Sequence, residues 1–243
     1  MKLLLLGSGP SATIARNWPR APFDRIVAIN NAWQIRDDWD DLIYPFDFPD
    51  ARKPQSVRPN QRLIDETHFV DAQNAYGGFA YGGATMAFTA TYWALHALKP
   101  TMIAYLGCDM VYPKSGPTHF YGTGTADPLR NDFSLRSLEA KSARAQCYAA
   151  AQGCTLVNLS TDESRLDIPR AGRTTPPAEL TIDTLLMARA EAAEEVLGYR
   201  TPTGFHSHIT PDLAAYDAID TLWLAAGGAS TQAQREPLLK RSA

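Results

Sequence analysis

The chain has 243 residues, of which 45% are hydrophobic and 20% are charged, and its formal net charge is −3 at pH 7. This length fits one large domain with additions, and the ordinary composition excludes wholesale disorder, collagen-like chains and coiled coils. Since there is no basic excess, no nucleic-acid partner is expected. The three cysteines form no CxxC pair, which predicts neither a zinc site nor a disulfide framework and favours a reducing, cytoplasmic compartment. No apolar run approaches the ~18–20 residues that span a bilayer.

Short apolar runs predict buried parallel strands at five places along the chain. Helix-like segments separate the first three runs, and this alternation predicts an α/β fold with a doubly wound, mostly parallel, Rossmann-like sheet. The predicted strands are Leu3–Leu6, Arg25–Asn30, Asp41–Tyr44, Met102–Leu106 and Thr155–Asn158.

Cap residues and periodicity predict helices around these strands, including two extra C-terminal helices. The chain would thus comprise a nucleotide-binding domain over 1–178, a helical extension over 179–228 and a disordered tail over 229–243. The predicted helices are Ala12–Asn17, Trp33–Trp39, Ala84–Leu98, a helix that ends at about Gln152, Thr181–Leu197 and Thr210–Ala226. The predicted caps are Ser11 for the first helix, Asp132 or Ser134 for the fourth and Thr210 for the last.

Four polar loops directly follow predicted strands, where ligands of doubly wound sheets bind. In the first, Gly7–Ser11, the glycines allow close backbone approach and the helix start behind them favours a phosphate. No Gly-Lys-Ser/Thr follows, so it is not a P-loop, and a tight turn before a capped helix is the alternative. In the second, Asn30 and Asn31 can recognise a base or ribose through their amides, or can form a turn and a helix cap.

The third loop, Gly107–Tyr121, holds the candidate catalytic groups, and Asn158–Ser164 is the fourth loop. His119 is the natural general base at neutral pH, and tyrosine hydroxyls can donate hydrogen bonds to a leaving phosphate. Two alternatives stay open for this loop. One is a solvated segment with packing tyrosines, and the other is a divalent metal site formed by Asp109, His119 and Asp127, without HxH or HExxH spacing.

The ordered set of motifs resembles the bacterial sialyltransferases of glycosyltransferase family 42. It also resembles the wider DUF115 group of Rossmann-like proteins, which includes archaeal 6-hydroxymethylpterin diphosphokinases. The resemblance covers residues 1–166. It lies in Gly-x-Gly-Pro-Ser after the first strand, Asn after the second, a strand ending Gly-x-Asp, then His-aromatic-x-Gly and Asn-x-Ser.

This resemblance implies a nucleotide-sugar-dependent glycosyltransferase with a histidine base and no required cofactor. A CMP-sugar is the favoured donor, and a glycan or small molecule is the acceptor. Two positions depart from the family pattern: Ser8 stands where the family commonly has Asn, and Tyr112 lies one place later than the family's tyrosine. The candidate catalytic residues are His119, Tyr112, Tyr121 and Asp109, and the candidate nucleotide-binding residues are Gly7, Ser8, Gly9, Pro10, Ser11, Asn30, Asn31, Gly82, Gly83, Gly107, Asn158 and Ser160. Among the nucleotide-binding candidates in the first two loops, the resemblance itself implies Gly7, Gly9, Pro10, Ser11 and Asn30.

Two further functions remain open at this point. One is ATP- and Mg²⁺-dependent phosphoryl transfer, with Asp109 holding the ion. The other is a nucleotide-binding module without catalysis, since fold does not determine function. A homo-oligomer and peripheral attachment to the inner membrane stay open as well.

Overall fold

The computed structural model describes residues 1–174 and 180–228. Its core is a six-stranded sheet with every strand parallel, in the order β4-β3-β2-β1-β5-β6. This order confirms the Rossmann-like α/β fold, and it changes direction between β1 and β5. The strands are β1 (Lys2–Leu6), β2 (Arg25–Ile29), β3 (Asp41–Ile43), β4 (Arg62–Ile64), β5 (Met102–Leu106) and β6 (Thr155–Asn158).

The central strand β1 is apolar throughout because both faces of the sheet are covered. Leu3 and Leu5 pack into the core on one face, and Leu4 and Leu6 pack into the core on the other. The first face carries α1 (Glu66–Asn74), α3 (Met86–Trp93) and α4 (Leu138–Ala151), with the one-turn α2 (Phe79–Gly82) beside them.

The second face is covered by shorter, 3₁₀ segments, chiefly Pro10–Asn17 and Asn30–Gln34. The prediction that Ser11 caps the first helix is therefore wrong: Pro10 already occupies the first helical turn, and Ser11 follows it inside the helix. The predicted helix Trp33–Trp39 is likewise wrong, since helical backbone begins directly after β2 and ends at Gln34.

The sequence patterns missed β4 and α1 altogether. β4 has only three residues, of which one is buried, so no apolar run marks it. The predicted long helix from Asp132 or Ser134 is two elements. Asp132 caps the 3₁₀ turn Phe133–Leu135, and Ser137 then caps α4.

Helices α5 (Thr184–Leu197) and α6 (Leu213–Ala226) form a third layer, packed on α4. Asp212, not the predicted Thr210, caps α6, because its carboxylate accepts from two backbone N–H groups of the first turn. The predicted domain boundary at 178 and the tail over 229–243 lie outside the described residues. Within the described ranges, no helix is both long enough and apolar enough to cross a membrane.

Two buried ion pairs attach this layer to α4. Arg144 donates to both carboxylate oxygens of Glu194, at 2.8 and 2.7 Å, and the Lys141 ammonium lies 2.5 Å from a carboxylate oxygen of Asp220. Burial alone would lower the pKa of Arg144, but the Glu194 charge keeps that pKa above its ordinary value. Each charge thus faces an opposite charge inside the fold, although the second carboxylate oxygen of Asp220 has no hydrogen-bond partner among the described residues.

Candidate functional site

A cleft of about 1640 Å³ opens at the carboxyl ends of the strands and spans the switch between β1 and β5. All four predicted loops contribute residues to its lining, the fourth through Asp162 and Glu163. Ligands of doubly wound sheets bind at this place. The structure brings together twelve of the sixteen predicted site residues in its lining: Gly7, Ser8, Gly9, Pro10, Ser11, Asn30, Asn31, Gly107, Asp109, Tyr112, His119 and Tyr121.

The loops after β1 and β5 are in direct backbone contact. The Gly9 N–H donates to the Gly107 carbonyl at 2.8 Å. A Cβ atom at Gly7 would lie 2.3 Å from that same carbonyl oxygen. Glycine is therefore required here because the two backbones approach too closely for any side chain.

Asp109 lies at the base of the cleft and is 9% exposed. Its carboxylate receives the Ser11 hydroxyl at 3.4 Å and the Asn158 amide at 3.4 Å. Burial raises the pKa of Asp109, and hydrogen bonds from Ser160, Ser164 and Asn158 oppose that rise. A carboxyl group with a raised pKa in a cleft is typical of functional sites.

The four remaining predicted residues do not line the cleft. Asn158 and Ser160 lie behind Asp109, where the Ser160 N–H donates to the Asn158 side chain at 2.9 Å. Gly82 packs against Gln73 and Tyr92, while Gly83 packs against Phe88 and Lys141. In this structure, Asn158 and Ser160 position Asp109, and the two glycines serve backbone packing.

His119 lies on a turn that is docked on the β1 loop. The Phe120 N–H donates to the Ser8 carbonyl at 3.0 Å, and this bond brings the predicted base next to the predicted phosphate loop. Burial lowers the pKa of His119, and the nearby Asp127 charge opposes that shift. A lowered pKa keeps the imidazole neutral at pH 7, as a general base requires.

The orientation of the imidazole depends on Thr118. Its hydroxyl lies 2.8 Å from His119 Nδ1 and accepts from the Gly124 N–H at 2.9 Å. It also lies 3.1 Å from the Gly124 carbonyl. When the hydroxyl donates to that carbonyl, Nδ1 carries the ring proton and Nε2 keeps its lone pair for a substrate.

Two tyrosine rings flank the imidazole. Tyr121 stacks on His119, with ring centroids 5.0 Å apart, and the ring centroid of Tyr112 lies 5.8 Å from that of His119. Burial raises the pKa of Tyr112. Its hydroxyl therefore stays protonated over the working pH range and can donate a hydrogen bond to an anion.

Two cleft residues have backbone conformations that are unusual for side chains other than glycine. Asn30 has φ 51° and Met110 has φ 55°. Among the described residues, the Asn30 side-chain oxygen has no hydrogen-bond partner although it is buried. Backbone strain of this kind clusters at functional sites. The Asn30 oxygen is one of five buried side-chain atoms without a partner among the described residues, and the other four lie outside the cleft.

The structure adds residues that sequence patterns missed. His206, from the connection between α5 and α6, lines the cleft and pairs with Asp132 at 3.0 Å. Burial alone would raise the pKa of Asp132, but hydrogen bonds from His206 and Ser134 outweigh it, so the pKa falls well below its usual range. The two residues are 74 positions apart, and no local signal joins them.

The charge of the cleft is predominantly acidic. Within the described residues, its lining holds seven acidic side chains and two arginines, Arg52 and Arg130. No three His, Cys, Asp or Glu side chains in that part of the chain converge to hold a metal ion. A Mg²⁺ ion commonly needs only one or two carboxylates with substrate phosphates, and Asp109 is the acidic group at the strand switch. The acidic lining is Asp47, Glu66, Asp109, Asp127, Asp132, Asp162 and Glu163.

Comparison of the chain with models of protein families, with curated proteins and with solved structures found no match. The fold and the cleft therefore carry the functional argument.

Proposed function

We propose that this protein is a nucleotide-sugar-dependent glycosyltransferase in which His119 is the general base. The observation that carries the proposal is the hydrogen bond from the Phe120 N–H to the Ser8 carbonyl. It joins the turn that holds the base to the glycine loop at the strand switch. The motif resemblance to family 42 sialyltransferases supports the same assignment.

The nucleotide would lie along the loop after β1 and the end of β2. Gly7 and Gly9 donate their N–H groups to carbonyls of β5 and its following loop, so the neighbouring N–H groups of Ser8 and Ser11 would hold the phosphate. Asn30 supplies a buried oxygen without a partner among the described residues, which a ribose hydroxyl would satisfy.

The transfer step needs a base on one side and hydrogen-bond donors on the other. As the acceptor oxygen bonds to the anomeric carbon, His119 Nε2 takes the hydroxyl proton. The bond from that carbon to the phosphate oxygen breaks, and its electron pair leaves with the nucleotide. Tyr112 donates a hydrogen bond to the departing phosphate, and preorganised donors of this kind contribute ~3–4 kcal/mol in other enzymes.

The test begins with a panel of CMP-, UDP- and GDP-sugars, with CMP-sugars expected to react best. We expect His119→Ala to lower kcat by ~10²–10⁴ while the dissociation constant of the nucleotide stays unchanged. His208→Ala is the matched control, because His208 is exposed and does not line the cleft. Full turnover by His119→Ala would rule out His119 as the base.

The acidic lining favours a second candidate, Mg²⁺-dependent phosphoryl transfer from a nucleoside triphosphate. Seven carboxylates against two arginines repel a polyphosphate unless a cation accompanies it. Asp109 would hold Mg²⁺ together with the substrate phosphates. Thermal stabilisation by ATP that needs Mg²⁺ supports this candidate, whereas stabilisation by CMP that is insensitive to EDTA supports glycosyl transfer.

A further inference from the structure

Two large aromatic rings are exposed in the wall of the cleft. Phe46 is 65% exposed and Phe205 is 58% exposed, and their ring centroids are 5.8 Å apart in an edge-to-face contact. Both residues line the cleft, although one follows β3 and the other lies between α5 and α6. Burial of a phenylalanine side chain is favourable, so two such rings left open inside one cleft suggest a ligand that covers them.

The sheet register shows where these rings lie relative to the phosphate loop. Leu6 of β1 is aligned with Ala28 of β2, and Ala28 is aligned with Leu42 of β3. Because neighbouring strands are about 4.8 Å apart, the chain leaving β3 emerges roughly 10 Å from the chain leaving β1. That separation is comparable with the reach from the phosphate to the base of one nucleotide.

In sheets of this type the phosphate lies at the end of the first strand and the ribose at the end of the second. The base then extends toward the third strand. Phe46 lies three residues beyond the end of β3 and lines the cleft.

Phe205 is held in place by its neighbours. The Gly204 backbone packs on Phe79, where an added Cβ atom would lie 2.7 Å from the ring. The Asn74 amide donates to the Pro202 carbonyl at 2.9 Å, and His206 is paired with Asp132. The exposed ring is therefore presented from a segment anchored on both sides.

We propose that Phe46 and Phe205 form an aromatic bracket that binds the base of the nucleotide. The two ring planes are 75° apart, so a flat base can stack on one ring and place its edge against the other. The third layer of the protein thus completes the nucleotide site. This inference rests on the nucleotide ligand of the proposed function and adds the residues that bind its base.

The test compares a nucleotide with a ligand that has no base. Calorimetry gives the dissociation constants of CMP, AMP and ribose 5-phosphate for the full chain and for Phe46→Ala and Phe205→Ala. Loss of base stacking costs ~1–3 kcal/mol per base, so we expect the nucleotides to bind about 5- to 150-fold more weakly. Binding of ribose 5-phosphate should not change, and Phe46→Trp should retain nucleotide binding.

Leu185→Ala is the control, because Leu185 is also exposed, on α5, but does not line the cleft. Equal weakening of ribose 5-phosphate would indicate a structural effect and overturn the bracket. Unchanged nucleotide affinity with a raised KM for the acceptor would assign the rings to the acceptor instead. If the wild-type protein binds a nucleotide but neither phenylalanine substitution changes its dissociation constant, the bracket alone fails. If it binds no nucleotide, the proposed function fails with it.

Discussion

The Arg144–Glu194 pair, between α4 and α5, and the polar groups of the cleft differ in how completely their hydrogen bonds are made. At the helix contact, the Arg144 guanidinium is satisfied by Glu194, by the Tyr92 hydroxyl and by the Tyr76 carbonyl. In the cleft, the Asn30 oxygen has no partner among the described residues, and the pKa of Asp109 is raised by burial.

An unmet hydrogen bond alone does not mark a ligand site, because Asp220 at the helix contact also has a carboxylate oxygen without a partner among the described residues and a pKa raised by burial. A buried charge with every hydrogen bond made is explained by the fold alone. A strained backbone, an unpaired acceptor and an open aromatic ring lower stability, and they are explained when a bound molecule supplies the missing contacts. Substitutions at Glu194 and at Asp109 should therefore have opposite effects on stability.

The largest effect is expected at the helix contact. Glu194→Ala leaves the Arg144 charge buried without its partner and removes the acceptor of the Trp223 ring N–H at 2.7 Å. Breaking a buried ion pair on one side typically costs ~3–5 kcal/mol, and urea unfolding would measure the loss. Glu195→Ala, at the exposed neighbouring position, should change stability by less than ~0.5 kcal/mol. A loss of that small size for Glu194→Ala would contradict a structural role for this contact.

A gain in stability is expected in the cleft from Asp109→Asn. Because burial raises the folded-state pKa of Asp109, ionisation of this group lowers stability as pH rises from the unfolded-state pKa, and the full loss is present above the folded-state pKa. Removing the charge should stabilise the protein at neutral pH by ~0.5–2 kcal/mol. The sign can be checked by varying the pH. The difference in the free energy of unfolding between variant and wild type should shrink as pH falls through the folded-state pKa, and it should vanish below ~3.9. Thermal melts between pH 3 and 8 would show it, and a pH-independent difference would contradict the assignment.

The smallest effect on stability is expected from Asn30→Gly. Glycine accepts the φ of 51° and removes the unpaired oxygen, but it also loses more chain entropy on folding, so these contributions offset each other. Nucleotide affinity should nevertheless fall about 2- to 12-fold, the equivalent of one neutral hydrogen bond. Calorimetry with CMP would measure the loss of affinity, and thermal melts would measure the change in stability. Destabilisation with unchanged affinity would place Asn30 with the residues that serve folding.

Much of the strand framework was predictable from local patterns. Met102–Leu106 and Thr155–Asn158 match the strands β5 and β6, because buried parallel strands are continuous apolar runs. The three-residue β4 was not predictable, since its place in the sheet comes from pairing with β3 rather than from its own residues. Helix caps were less predictable: Thr210 and Asp212 are both residue types that cap helices, and Asp212 is the one that accepts from the first turn of α6.

The sequence by itself determined the parallel α/β class and the polar loops that follow its strands, because periodicity and turn residues act over a few neighbours. The tertiary structure decided which of those loops meet. In the folded protein, the His119 turn hydrogen-bonds to the Ser8 carbonyl, and Asn158 lies behind Asp109. Gly82 and Gly83 pack closely against neighbouring side chains and do not line the cleft. The tertiary structure also brought Phe205 to Phe46 and His206 to Asp132. Contacts between residues so far apart depend on how layers pack, and no local pattern encodes that geometry.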